Sequence, residues 1–521
     1  MILAMLALLA QASGYPLGGT VVHGANGSPL KGVRVRLIES GKASELTSML
    51  TGADGRFRFE ALPAGKYMIA AERNGFPAQM YGQKALNAPV VTGVVVGEGQ
   101  DASDLVFPLI PPATISGRVI DEKGEPLPGM TVVGYQRRGV GQAQRLQFIR
   151  RGSTNDLGEF RLYGLPRGDY LVSVTGIPFQ SLPALDVSGT PAGYGLTFHP
   201  GVQDVSKAAW VHVEPAEEAR ADVRASASKV VRVSGTLKGT EIPNNSYVWL
   251  AVALGDGTYF QMGQSVYIYG SSFQLGGVPP GRYALFAVTQ GRRVIARQTV
   301  DVADDPSNVE IDASRMAKVR MKVNVRGAKP GETIVASLLT YGERWGPQGT
   351  LDSKGEILFG AVAAGLYTVS IVSPDSRVQI SPESITAEGA RVRGDLIELP
   401  ESGQVTLTVN ANVQSEIVNG RVHKDGRPVS GMTVVLIPAR NEASVISYRI
   451  DQSDSDGSFK WRNVPPGEYL MFAFEDGASW DYMDEGVMQG FRNLGQPLTV
   501  RAAQKGEVRL EVTRVPQPSR Q

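Results

Sequence analysis

The sequence predicts an all-β chain, a tandem array of about five β-sandwich domains. Three observations carry that expectation. The length of 521 residues suits three to five domains at roughly 100–200 residues each. The 61 Gly and 32 Pro residues make up about 18% of the chain against an average near 12%. Hydrophobic residues nevertheless hold at 42%, so the excess belongs to turns between packed strands and not to disorder. Finally, one short pattern returns five times along the chain.

At the N-terminus, Ile2 to Ala10 form an apolar run, and Ala10-Gln11-Ala12 sets small residues around a cleavage position. Residues 1–13 therefore read as a signal peptide lacking the usual positive n-region, and the chain as secreted or periplasmic. No later stretch reaches the roughly 18 apolar residues of a membrane span. The absence of Cys excludes disulfides, thiolate metal sites and a Cys nucleophile. Lys+Arg at 52 against Asp+Glu at 51 leaves a formal charge of +1, without the field that a nucleic-acid partner or an anionic membrane needs.

The repeated pattern is a strand, a Pro/Gly turn and a second strand that begins with Gly-x-Tyr. Its copies run from Phe57 to Tyr67, Phe160 to Tyr170, Phe273 to Tyr283, Ile357 to Tyr367 and Phe459 to Tyr469. The spacing is ten residues each time. An upstream block precedes it in three copies: Gly19-Thr20-Val21 with Pro29 and Gly32, Gly117-Arg118-Val119 with Pro126 and Gly129, and Gly420-Arg421-Val422 with Pro428 and Gly431. Side chains alternate, as in Phe57/Phe59 and Val33/Val35, which is the period of a half-buried strand. Asn26-Gly27, Lys123-Gly124 and Asp425-Gly426 fall where hairpin turns need positive φ. These landmarks divide the chain into sandwiches at 14–112, 113–228, 229–317, 318–413 and 414–521. The second carries a long coil-rich excursion over Ile177 to Ala225. The third and fourth lack the Pro-x-x-Gly block.

Together, Gly-x-Val…Pro-x-x-Gly and Thr/Ser-Asp-x-x-Gly-x-Phe…Leu-Pro-x-Gly-x-Tyr resemble the carboxypeptidase regulatory-like domain. The resemblance implies a small prealbumin-like (Ig-like) β-sandwich. The whole chain is similar to multi-copy secreted proteins of acidobacterial type. It also implies that Thr197 to Gly201 and Val211-His212-Val213 are outer strands and connections of the second copy.

The family name invites a search for peptidase chemistry. A zinc site needs a His-x-x-Glu pair and a third ligand, and none of His23, His199, His212 and His423 fits; each reads as a strand-edge residue. No Gly-x-Ser-x-Gly elbow is present. Gly97-Glu98-Gly99-Gln100-Asp101-Ala102 matches a dinucleotide fingerprint in letters only, because a strand and not a helix is expected to follow it. Asp451, Asp454 and Asp456 form a partial calcium-loop pattern without its terminal Glu. The related turns, Asp54-Gly55, Asp156 with Gly158, and Asp352 with Gly355, favour carboxylates that satisfy turn N–H groups.

The hairpin Tyr, repeated at one register, reads as a core ring whose hydroxyl bonds nearby backbone, as in a tyrosine corner. The aromatics outside the pattern are Tyr259, Phe260, Tyr267 and Tyr269 in the third copy, Trp345 in the fourth, and Trp480 with Tyr482 in the fifth. Two paired strands are expected to hold the first group. Tyr267, Tyr269, Trp480 and Tyr482 are ligand candidates if their faces are exposed, and core residues otherwise. The sequence thus reads as a non-catalytic, cofactor-free scaffold of spacer or adhesive modules, with an envelope or extracellular protein as partner. The alternative is a carbohydrate-binding protein that stacks polysaccharide on those rings.

Overall fold

The computed structural model describes residues 14–40, 44–88, 90–138, 145–176, 184–185, 191–239, 242, 244–253, 259–290, 294–303, 307–312, 316–340, 346–374, 378–393, 396–412, 416–439, 448–464, 466–475, 482, 488–501 and 507–513. The signal-peptide reading of 1–13 lies outside them. The described chain is built of strands. One arrangement recurs in five places: an opening strand lies antiparallel to the strand that carries the repeated Phe or Ile, and parallel to a closing strand. The five opening and closing pairs are Tyr15–His23 with Leu105–Leu109, Ala113–Ile120 with Glu218–Arg220, Val231–Lys238 with Ser307–Asp312, Ala317–Arg326 with Gly403–Asn412, and Glu416–Lys424 with Glu507–Glu511. In the first, second, third and fifth copies a second sheet, built around the Gly-x-Tyr strand, packs across this one; in the fourth, the strand Val378–Glu388 pairs with both Gly365–Ser373 and Gly403–Asn412 and joins the two into one sheet.

The repeated residues are explained by this packing. In the first, second, third and fifth copies the Phe lies opposite a glycine of the opening strand: Phe57 on Gly19, Phe160 on Gly117, Phe273 on Gly235 and Phe459 on Gly420. At Gly117, Gly235 and Gly420 a Cβ would stand within 3 Å of that ring. The ring therefore folds across the glycine, and any side chain there would push it out of the core. The fourth copy changes both members together, with Ile357 opposite Met321.

The Pro-x-x-Gly block is held by one buried hydroxyl in each complete copy. Thr51 Oγ1 donates to Leu30 O at 2.6 Å and accepts from Val33 N at 3.0 Å. Thr154 does the same for Leu127 O and Met130 N, and Ser453 for Val429 O and Met432 N. Gly32, Gly129 and Gly431 take φ near +70° to close that loop, a conformation that costs glycine little.

The tyrosine corner is seen among the described residues in the hydroxyls of Tyr67, Tyr170, Tyr283 and Tyr367, each donating to the carbonyl four residues earlier at 2.7–2.9 Å. One expectation, for the aromatics of the third copy, is corrected below. Within the coil-rich excursion, Pro191–Phe198 is a strand that pairs with Gly168–Gly176. Its Leu196 and Phe198 join the hydrophobic core of the third sandwich, so apolar burial has straightened a proline-bearing segment. In the third sandwich, Tyr259, Phe260 and Tyr267 lie on one strand, Tyr259–Tyr267, paired to Tyr247–Ala253 and not to each other. The Gly97–Gln100 segment is a tight turn leading into the strand Leu105–Leu109, so no helix N-terminus faces a phosphate there.

Candidate functional site

The acidic run of the fifth sandwich lies at the end of the strand Arg449–Gln452 and in the turn that follows. Asp451 accepts from Gln452 N and Lys460 N, both at 2.8 Å, and burial pushes its carboxyl up from the usual range. Asp456 Oδ1 accepts from Ser458 N at 3.0 Å, while Oδ2 faces Arg421 at 3.6 Å.

Asp454 is placed differently. Its backbone closes the turn through Asp454 N to Ser458 O and Gly457 N to Asp454 O, as Asn155 and Asp352 do in their own copies. In those copies the side chain also caps the turn: Asn155 accepts from Leu157 N and Glu159 N, and Asp352 from Lys354 N and Glu356 N. Asn155, and not Asp156, is therefore the capping residue of the second copy. Asp454, 5% exposed, instead turns outward to the first sandwich. It accepts from Lys66 Nζ at 2.6 Å and from Gly93 N at 3.0 Å. Burial raises its carboxyl, and the Lys66 ammonium opposes that rise.

The carboxylates of Asp451, Asp454 and Asp456 are thus spent on separate backbone and cationic partners. Among the described residues no group of three metal-ligating side chains converges. In the structure these residues form a turn and a contact with the first sandwich.

The aromatic candidates divide. Tyr267 is 57% exposed and Tyr269 is 78% exposed. Tyr267 lies opposite Tyr247 across the strand pair, so two phenol rings share one face. Tyr482 is corrected to a core residue. It is buried with Val435, Phe472 and Met488, and its ring stacks on Phe474 at 6.2 Å with an interplanar angle of 10°. Trp480 and Trp345 lie outside the described residues.

One polar cluster escaped the sequence reading, although all its members lie in one copy. His212, on the strand Val211–Val213 paired to Gly168–Gly176, sets Nδ1 2.8 Å from Asp169 Oδ1 and Nε2 3.1 Å from Glu214 Oε1. Arg137 and Arg167 close the same two carboxylates, and the Arg137 guanidinium stacks on Trp210 at 4.5 Å. Both ring nitrogens can donate at once only in the imidazolium, so the hydrogen bond to Asp169 and then that to Glu214 raise the His212 pKa.

The folded form thus favours protonated His212. Its stabilisation is complete below the unfolded value near 6.5 and is lost as pH rises through the raised folded value. The ring is more than half exposed, so the effect on stability is small. Ring-resolved NMR should show His212 titrating above 6.5, with Asp169→Asn bringing it back down. An unshifted parent titration would contradict the pairing.

The profile of the carboxypeptidase regulatory-like domain matches residues 16–109 and 114–198. No curated protein matches the chain. Among solved structures, a streptococcal ancillary pilin is 13% identical with a TM-score of 0.20, over 57% of this chain and 98% of that one. The Bacillus anthracis TIE protein is 13% identical with a TM-score of 0.18, over 76% and 73%. The minor pilin GBS52 of Streptococcus agalactiae is 16% identical with a TM-score of 0.21, over 44% and 100%.

Proposed function

We propose that this chain, a carrier of carboxypeptidase regulatory-like domains in tandem, is a non-catalytic scaffold that works outside the cytoplasm by holding envelope or extracellular proteins. The residues that recur from copy to copy are consumed by folding: Phe against Gly, hydroxyl against Pro-x-x-Gly, Tyr against its corner carbonyl. Exposed residues differ from copy to copy, and partner choice belongs to them. The observation that carries the reading is the placement of exposed apolar side chains on outermost strands. Leu46 and Leu50 lie on Glu45–Leu50, and Phe148 on Arg145–Ser153, each the end strand of its sheet. Exposed apolar groups beside unpaired backbone suit docking of another protein.

Site-specific photo-crosslinkers at Leu50 and Phe148, activated in whole cells, are expected to yield adducts with envelope proteins. Adducts only with cytosolic proteins, or none at either position, would sink the proposal.

Carbohydrate binding is the second reading, favoured by the exposure of Tyr267 and Tyr269. Stacking depends on the ring face, so Tyr267→Ala and Tyr269→Ala should abolish retardation in affinity gels that contain polysaccharide, with thermal melts unchanged. A parent chain that runs unretarded on every glycan leaves the protein scaffold alone.

A further inference from the structure

We propose that the array closes on itself: the fifth sandwich docks on the first through a clasp centred on Lys66 and Asp454, which holds all five sandwiches in one fixed ring. The clasp is a set of directional contacts between residues some 360–390 positions apart. Beside the Lys66–Asp454 pair, Ser455 N donates to Gly93 O and Val95 N donates to Ser455 Oγ, both at 2.9 Å. Gln452 Nε2 donates to Gly82 O at 2.7 Å and to Thr92 Oγ1 at 2.6 Å. At the rim, Lys84 Nζ reaches the Glu475 carbonyl.

Three features separate this from casual surface contact. First, Asp454 occupies the position from which Asn155 and Asp352 cap their own turns, yet its carboxylate accepts no backbone N–H there; it keeps the Ser458 hydroxyl at 3.3 Å and takes Lys66 and Gly93 N of the neighbour, while Asp456 caps Ser458 N. Second, the strand Val94–Val96 pairs on one side with Gly65–Arg73, and the turn of the fifth sandwich covers its other side, where unpaired backbone groups would otherwise stand. Third, Gly93 has no room for a side chain: a Cβ would meet the Lys66 chain and stand 2.7 Å from Asp454 Oδ1. The buried carboxylate, left without Lys66 and Gly93 N, would be an uncompensated charge.

Consecutive sandwiches also touch. Gln136 of the second accepts from Asn87 of the first. Pro191–Phe198 meets Ser272–Val278, Val294–Val302 meets Glu356–Val362, and Val378–Glu388 meets Ser458–Val464. With the clasp, this series returns to its start.

The test uses the full chain, whose lack of Cys makes two introduced cysteines the only labelling sites. Spin labels at Glu98→Cys, on an exposed turn of the first sandwich, and at Glu468→Cys, at the exposed start of the strand Gly467–Phe474 of the fifth, are expected to give one narrow distance distribution. Gly93→Val and Lys66→Glu, each in that background, are expected to lengthen and broaden it severalfold while circular dichroism stays that of the parent. Asp454→Asn, on the opposite partner, keeps the test open should either variant fail to fold. A broad distribution in the parent, or a narrow one surviving in the folded variants, would overturn the clasp. A dipolar signal between two singly labelled chains would assign the contact to a second copy and overturn closure within one chain.

Discussion

Tyr170→Ala is expected to destabilise the second sandwich by about 3–5 kcal/mol, the range for truncating large aromatics in cores. The ring is fully buried among Val132, Val172 and Val211, and its hydroxyl donates to Pro166 O at 2.7 Å. Tyr170→Phe isolates the second contribution, because it keeps the ring and leaves that carbonyl without its donor, for about 1–2 kcal/mol. At about 4–8 °C per kcal/mol for a domain near 100 residues, the alanine variant should lower the corresponding calorimetric transition by more than 10 °C. The third sandwich should respond as well, since Leu171 and Phe198 belong to its core. A loss below about 1 kcal/mol would mean that the hairpin Tyr is a surface ring and that the repeat encodes something other than packing.

The fold was legible because its determinants are local and repeated. Phe57 to Tyr67 and its four echoes define a strand, turn and strand within eleven residues, and the glycine facing the Phe stands in the same short block each time. Even the degenerate fourth copy follows the rule, because a smaller Ile357 leaves room for Met321. The turn carboxylates were legible as a class, but not residue by residue. Asn155 takes a role that Asp156 resembles in letters, and Asp454 leaves that role although its letters fit it.

What distinguishes Asp454 is Lys66, the variable residue between Gly and Tyr of another copy, where Asp169, Arg282, Leu366 and Glu468 stand elsewhere. Nothing local marks one of five such residues as a clasp. The same holds for Tyr482, whose burial depends on Phe474 and Met488 arriving from either side. Contacts set by the docking of whole sandwiches leave no period in the sequence, whereas contacts set within a hairpin do.

Trp461 tests how far the repeat specifies its own core. It occupies the position of Phe59, Leu162, Leu275 and Phe359, two residues beyond the repeated Phe or Ile, and is the largest side chain at that position. The ring is 1% exposed and lies 4.6 Å from Phe459, centroid to centroid. Its indole N–H is buried with no hydrogen-bond partner among the described residues, an arrangement that costs about 1–3 kcal/mol of desolvation. Trp461→Ala should therefore destabilise the fifth sandwich by about 3–5 kcal/mol through loss of volume and the cavity left behind. Trp461→Phe removes the unpaired donor along with part of the ring, so the two effects oppose each other and the net change should stay below about 1.5 kcal/mol. Denaturation of both variants, followed by far-ultraviolet circular dichroism on the full chain, gives the comparison. If Phe costs as much as Ala, the indole N–H has a partner that matters, and the fifth core is specified by a polar contact in addition to the apolar pattern it shares with the other four.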